Sequence, residues 1–116
     1  MFVRQDVPNL EILAPAKINL FLEVTGKRSD GFHELDMLMV PVALFDTLTL
    51  SLADNSGIHL STGWAQGLQS QPELPSTDDN LVYRILSMFQ DVVQQLYQER
   101  PGICVKLVKR IPVAAG

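Results

Sequence analysis

APAKINLFLEVTGKRSDGFHEL, residues 14–35, is the stretch around which the rest of the chain is organised. From Ile18 to Val24 the apolar residues fall at every second position (Ile18, Leu20, Leu22, Val24), the period of a half-buried strand. Lys17, Asn19, Phe21 and Glu23 then share the opposite face. Thr25-Gly26 ends the strand, and a charged turn runs from Gly26 to Gly31. Phe32 and His33 set an aromatic ring beside an imidazole directly after that turn, and the apolar pattern resumes at Leu35. Ala14-Pro15-Ala16 gives the strand a stiff start, because Pro15 fixes its own φ and removes one ladder donor. A lysine and an amide on one strand face, Lys17 and Asn19, can hold a point charge where a polyanion docks. A solvated strand-edge lysine is the alternative that these residues alone leave open.

On the amino-terminal side, residues 1–10 are mixed, contain Pro8 and read as an extended or frayed lead-in, with Glu11–Leu13 a short strand separated from the Lys17 strand by the Ala14-Pro15 step. On the other side, Leu35–Leu44 is almost continuously apolar and predicts a strand buried on both faces, Pro41 marking an edge or a bulge. Asp46 opens a strand in which Leu48, Leu50 and Leu52 alternate with Thr47, Thr49 and Ser51. Ala53–Gly57 is a turn cluster, and Ile58–Leu60 is expected to return as the second strand of a hairpin. Ser61–Asp79, with Gly63, Gly67, Pro72 and Pro75, reads as a long loop whose Trp64 either caps the core or stands beside a ligand.

Leu81–Glu99 is the clearest helix. Leu81, Ile85, Leu86, Phe89, Val92, Val93 and Leu96 form a core-facing stripe, Asp78, Asp79 and Asn80 supply capping oxygens, and Arg100-Pro101-Gly102 ends it. The last strand, Ile103–Ile111, points Ile103, Val105 and Leu107 to one face with Lys109 in phase, where a lysine snorkels out or lines a pocket.

The bulk properties narrow the function. A chain of 116 residues is one domain or part of one. An apolar fraction of 47% with 19% charged residues is ordinary for a globular chain. A formal net charge of −4 and a pI near 4.9 disfavour non-specific binding to nucleic acid. The single cysteine, Cys104, excludes an internal disulfide and reads as a buried strand thiol, and two histidines without ligand spacing make no metal site; His59 reads as a solvated strand residue. No apolar run reaches the ~18 residues of a membrane span, and the amino terminus lacks a signal-peptide pattern, which leads to the expectation of a cytoplasmic protein without a membrane partner.

Residues 15–35 closely resemble the amino-terminal signature of the 4-diphosphocytidyl-2-C-methyl-D-erythritol kinase family of the GHMP small-molecule kinases, P-A-K-[IL]-N-L-x-L-x-[IV]-x-G-[KR]-R-x-D-G-[YF]-H-x-[IL]. The resemblance covers residues 14–53 well, 78–86 and 102–116 fairly, and the 61–76 loop hardly at all. It implies an α+β fold like ribosomal protein S5 domain 2, a mixed and largely antiparallel sheet with a packed helix. Residues 1–116 would be part of the amino-terminal domain, with the carboxy-terminal domain absent. Pro112-Val113-Ala114-Ala115-Gly116 resembles the approach to that family's glycine-rich phosphate loop, so the chain is expected to stop before the loop, its helix and the catalytic aspartate, and to be inactive alone. The missing helix would leave apolar sheet surface uncovered, through which the chain is expected to self-associate.

By the same resemblance, Lys17 is the catalytic-site lysine near the transferred phosphoryl group. Asn19 holds the erythritol part of the substrate, Phe32 stacks on cytosine, His33 bonds the base edge, and Asp30 with Gly31 shapes the turn that presents them. The family more often has tyrosine at the Phe32 position, so the stacking face is kept and a hydroxyl is lost. Asn80, Lys109, Ala114, Ala115 and Gly116 fall on the nucleotide side. The implied ligands are ATP, with magnesium delivered by the nucleotide, and a cytidine-diphosphate-linked methylerythritol whose 2-hydroxyl is phosphorylated in non-mevalonate isoprenoid synthesis. Lys17, Phe32 and His33 are expected to frame one cavity. Two other readings stand beside this one: a different GHMP kinase (for homoserine, mevalonate or a sugar), which Phe32-His33 disfavours, and an S5-like RNA-binding or interaction module, which the acidic charge disfavours.

Overall fold

The alternating runs on either side of the charged turn form two long antiparallel strands, β2 (Asn9–Lys27) and β3 (His33–Ala53), in a computed structural model that describes residues 1–6 and 8–113, Asp6 by its backbone alone. β1 (Phe2–Asp6) pairs with the start of β2, so the lead-in is an ordered edge strand. β4 (Ile58–Trp64), α1 (Leu81–Tyr97) and β5 (Gly102–Lys109) complete the chain. The described residues form one mixed five-stranded sheet, β1-β2-β3-β5-β4, antiparallel except for β4 against β5, with one helix. This is the α+β architecture expected.

Glu11–Leu13 and the Lys17 strand are one element. Pro15 is accommodated by a register shift at Pro15/Ala16, where β3 takes up two extra residues, Ala43 and Leu44. Further shifts follow Asn19 and Val24. The first matters for the sequence pattern. Asn19 lies opposite Met39 but Phe21 lies opposite Leu38, so Leu20 is the extra residue and the faces exchange beyond it. Lys17 and Asn19 keep a common face, but Phe21 and Glu23 leave it. The half-burial expected of 18–24 and the two-sided burial expected of 35–44 are both absent: Ile18, Leu20, Leu22, Val24, Leu35, Met37 and Leu38 are all exposed, because beyond its base this part of β2–β3 is a two-stranded arm on which no other element among the described residues packs.

Ile58–Leu60 does not return as a hairpin partner of β3. β5 is inserted between β3 and β4, and the β4–α1–β5 crossover makes the parallel pair. Two features fix this arrangement. The Ile103 N–H donates to Gly57 O at 2.8 Å, and Gly102 lies so close under the 53–57 turn that a Cβ there would stand 1.9 Å from Asn55 O. Ile103, Val105 and Leu107 are the buried apolar side chains among the described residues, with Leu48, Leu50 and Leu52 in register beside them.

Asn80 caps α1, its side chain accepting from Val82 N at 2.9 Å, and Gln98 closes the other end in the left-handed region at φ 58°. The expected stripe splits on the sheet. Leu86 and Val93 are half-buried, but Leu81, Ile85, Phe89, Val92 and Leu96 are exposed, and the buried helix residue is Gln90, whose amide donates to Pro101 O at 2.6 Å. The helix is apolar over more of its circumference than β4 and β5 can cover. A radius of gyration of 17.3 Å, against about 13 Å for a compact chain of this length, reflects the protruding arm and the partly covered helix.

Candidate functional site

Asp46 stands on β3 in phase with Leu48, Leu50 and Leu52, on the face that carries Ile103, Val105, Leu107 and Lys109 on β5. It is 8% exposed, and both oxygens are used. Oδ1 accepts from Arg110 N at 2.7 Å and Ile111 N at 2.9 Å, while Oδ2 pairs with the Lys109 ammonium. Lys109 therefore does not snorkel out: its side chain is 19% exposed and held inward by the carboxylate. Arg110 turns to the other side and donates to Thr47 Oγ1 at 2.8 Å.

The shift at Pro15/Ala16 sets Lys17 near this pair. Pro15, Lys17, Val42, Asp46, Lys109 and Pro112 are among the residues around a hollow of about 620 Å³. Lys17 is exposed, and no carboxylate among the described residues lies within ion-pair distance of it. One unpaired ammonium and one anchored ammonium thus border the same hollow, an arrangement suited to an oxyanion of spread charge such as a phosphate.

Asn19 shares the strand face of Lys17, two residues along. Asp30, Phe32 and His33 lie elsewhere, at the tip of the arm. There the Asp30 carboxylate accepts from Phe32 N at 3.0 Å and pairs with Arg28 at 3.0 Å, Gly31 adopts φ 89°, and His33 stands opposite Lys27. Phe32 is 72% exposed. Ten residues of β2 separate Lys17 from Lys27, a contour of about 30 Å at ~3.3 Å per residue. The single cavity expected to join Lys17, Phe32 and His33 is not formed: the hollow at Lys17 has neither ring in its lining.

Asn80 is committed locally, its oxygen capping α1 and its amide donating to Pro75 O at 2.8 Å. Trp64 donates to Pro72 O at 2.8 Å and so straps the 65–80 loop against the end of β4. His59 is exposed and bonds Asn55. Ala114, Ala115 and Gly116 lie outside the described residues. No three His, Cys, Asp or Glu side chains converge as a metal site among the described residues. Asp46 is the residue that reading the sequence missed. Its signal was present: a carboxylate in phase with the leucines of an alternating strand calls for a partner cation, and Lys109 is the cation in phase on the facing strand.

No family model matches the chain. Over 105 residues, 90% of this chain, it is 41% identical to the 4-diphosphocytidyl-2-C-methyl-D-erythritol kinase of Shouchella clausii. The chain is similar to these kinases. It is 40% identical over 108 residues to the kinase of that name from Prochlorococcus marinus. A crystal structure of 4-(cytidine 5'-diphospho)-2C-methyl-D-erythritol kinase superposes with a TM-score of 0.67 at 36% identity over 90% of the chain. A homoserine kinase from Cytophaga hutchinsonii superposes at 0.59 with 21% identity, a likeness of fold alone. The chain spans about a third of the length of these kinases, 32% and 31% of the two relatives and 33% of the solved 4-(cytidine 5'-diphospho)-2C-methyl-D-erythritol kinase chain.

Proposed function

We propose that this chain supplies about a third of an ATP-dependent kinase that phosphorylates the 2-hydroxyl of 4-diphosphocytidyl-2-C-methyl-D-erythritol, a step of non-mevalonate isoprenoid synthesis in the cytoplasm. The observation that carries the reading is the pair of ammonium groups, Lys17 and Lys109, bordering one hollow. In the transfer, the bond from the γ-phosphorus to the ADP oxygen breaks, a bond to the acceptor oxygen forms, and the hydroxyl proton leaves to a base outside these residues. Charge spreads over the equatorial phosphoryl oxygens, so positioned cations do most of the work. Lys17 stabilises that charge, Lys109 faces the nucleotide, and Asn19 holds the erythritol part. Magnesium enters as part of the Mg–ATP substrate.

Phe32 and His33 take the cytosine, the ring by stacking and the imidazole at the base edge. With about 30 Å of ribbon between them and Lys17, they reach a substrate held at the hollow only if the arm curls. The extra residues Leu20 and Thr25 are where an antiparallel ribbon bends most readily.

ADP release in the polypeptide that carries this chain, with the cytidylated alcohol as acceptor and homoserine as control, tests the proposal. Lys17→Ala is expected to lower kcat by about 10²–10³ with little change in the KM for ATP. His33→Ala is expected to raise the KM for the cytidylated substrate about tenfold with kcat nearly kept. Undiminished turnover in Lys17→Ala, or preference for homoserine, would overturn the assignment. The 116-residue chain alone is expected to transfer no phosphate.

A further inference from the structure

We propose that Asp46 is a positioning residue, which fixes the Lys109 ammonium and the exit of β5 against the hollow so that a phosphate-bearing ligand meets two cations at a set spacing. The identity of that ligand as ATP rests on the kinase reading, whereas the clamp itself does not.

Three contacts make a clamp. A carboxylate with one oxygen on two successive backbone N–H groups, Arg110 and Ile111, and the other on Lys109 ties side chain and main chain into one unit across more than sixty residues of sequence. An unpaired lysine at this position would leave toward solvent, since its four-carbon stem is flexible and its charge strongly hydrated. Engaged by Asp46, the ammonium spends one N–H on the carboxylate and keeps two others, because it has three donors in all. Asp46 also neutralises one positive charge, so the hollow is not so cationic that it discriminates poorly among anions. Lys17 carries the uncompensated charge and Lys109 the oriented one.

Aspartate does two jobs here, and asparagine separates them. Asp46→Asn keeps an oxygen for the Arg110 and Ile111 N–H groups but loses the ionic hold on Lys109, while Asp46→Ala loses both.

Competitive lysine acylation with acetic anhydride, read by mass spectrometry on the 116-residue chain, tests the clamp without any ligand. Lys109 is expected to react about tenfold more slowly than Lys17 and Lys27, and Asp46→Asn to bring Lys109 up to their rate without moving theirs. On the polypeptide that carries this chain, Asp46→Asn is expected to raise the KM for ATP about tenfold with kcat within about twofold, and Asp46→Asn/Lys109→Met to be no worse than Lys109→Met alone. A purely structural Asp46 would instead leave Lys109 reactivity and KM untouched in Asp46→Asn while Asp46→Ala lowers the melting temperature, and that result overturns the proposal. If the native polypeptide transfers no phosphate at all, the kinase reading falls, and the acylation rates alone uphold or refute the clamp.

Discussion

Val105 in β5 is 2% exposed and Leu22 in the hairpin arm 53%, although each stands in a run of apolar residues at every second position. β5 has a strand on each side, whereas the arm formed by residues 16–27 and 33–42 is two strands with open faces. Periodicity reports what a strand is prepared to bury, and burial follows only where another element arrives. An apolar code on an open arm is therefore surface held ready for contact.

The most damaging change to the buried half is expected at Gly102. A Cβ there would meet backbone oxygens at 1.9 and 2.8 Å, which side-chain adjustment cannot relieve. Gly102→Ala is expected to cost more than about 4 kcal/mol and to abolish the cooperative melt. A normal melt would show that the 53–57 turn does not lie on β5. Next, Leu107→Ala is expected to destabilise by ~2–5 kcal/mol and Leu22→Ala by ~0.5 kcal/mol or less, measured by urea unfolding. Equal losses would erase the distinction between body and arm. The open arm and the uncovered side of α1 also lead us to expect a melting temperature that rises with protein concentration, and a sharp concentration-independent melt of a monomer would count against self-association.

A modest effect is expected at Asn80, at the start of α1 in the body. Asn80→Ala should cost about 1 kcal/mol or somewhat more, because the cap and the bond to Pro75 are lost together. Asn80→Asp keeps the capping oxygen and should melt nearly as the parent does. A raised KM for ATP in Asn80→Asp at unchanged stability would give Asn80 a nucleotide contact beyond its cap.

Local chemistry was legible in the sequence wherever one residue type has one job. Asn80 before an amphipathic run gave the helix start and the Asp30–Gly31 turn gave the arm's tip, whereas the phase of Lys109 left open whether it snorkels out or lines a pocket until Asp46 is set beside it. Lys17 and Lys109 were both named as site residues, and the structure sets them around one hollow. Pairing across distance was not legible. Ile58–Leu60 reads as a hairpin strand because proximity in sequence favours the nearest partner, whereas the Ile103–Gly57 bond and the close approach at Gly102 hold β5 in that place. The face exchange after Asn19 was hidden because a one-residue bulge leaves no compositional mark in an apolar run. Asp46 was passed over because a carboxylate at a strand start looks solvated until its cation, far along the chain, is set beside it.

The insertion of β5 between β3 and β4 also governs the order in which the sheet can assemble. During synthesis from the ribosome, β3 and β4 emerge well before the strand that joins them, so both keep raw hydrogen-bonding edges until residues 102–109 appear. Such non-local closure is slow, because a long loop must be brought together before any contact rewards it. The nascent chain is therefore most vulnerable to aggregation just before this inserted strand arrives, and a chaperone that binds extended apolar segments would find its longest-lived substrate there.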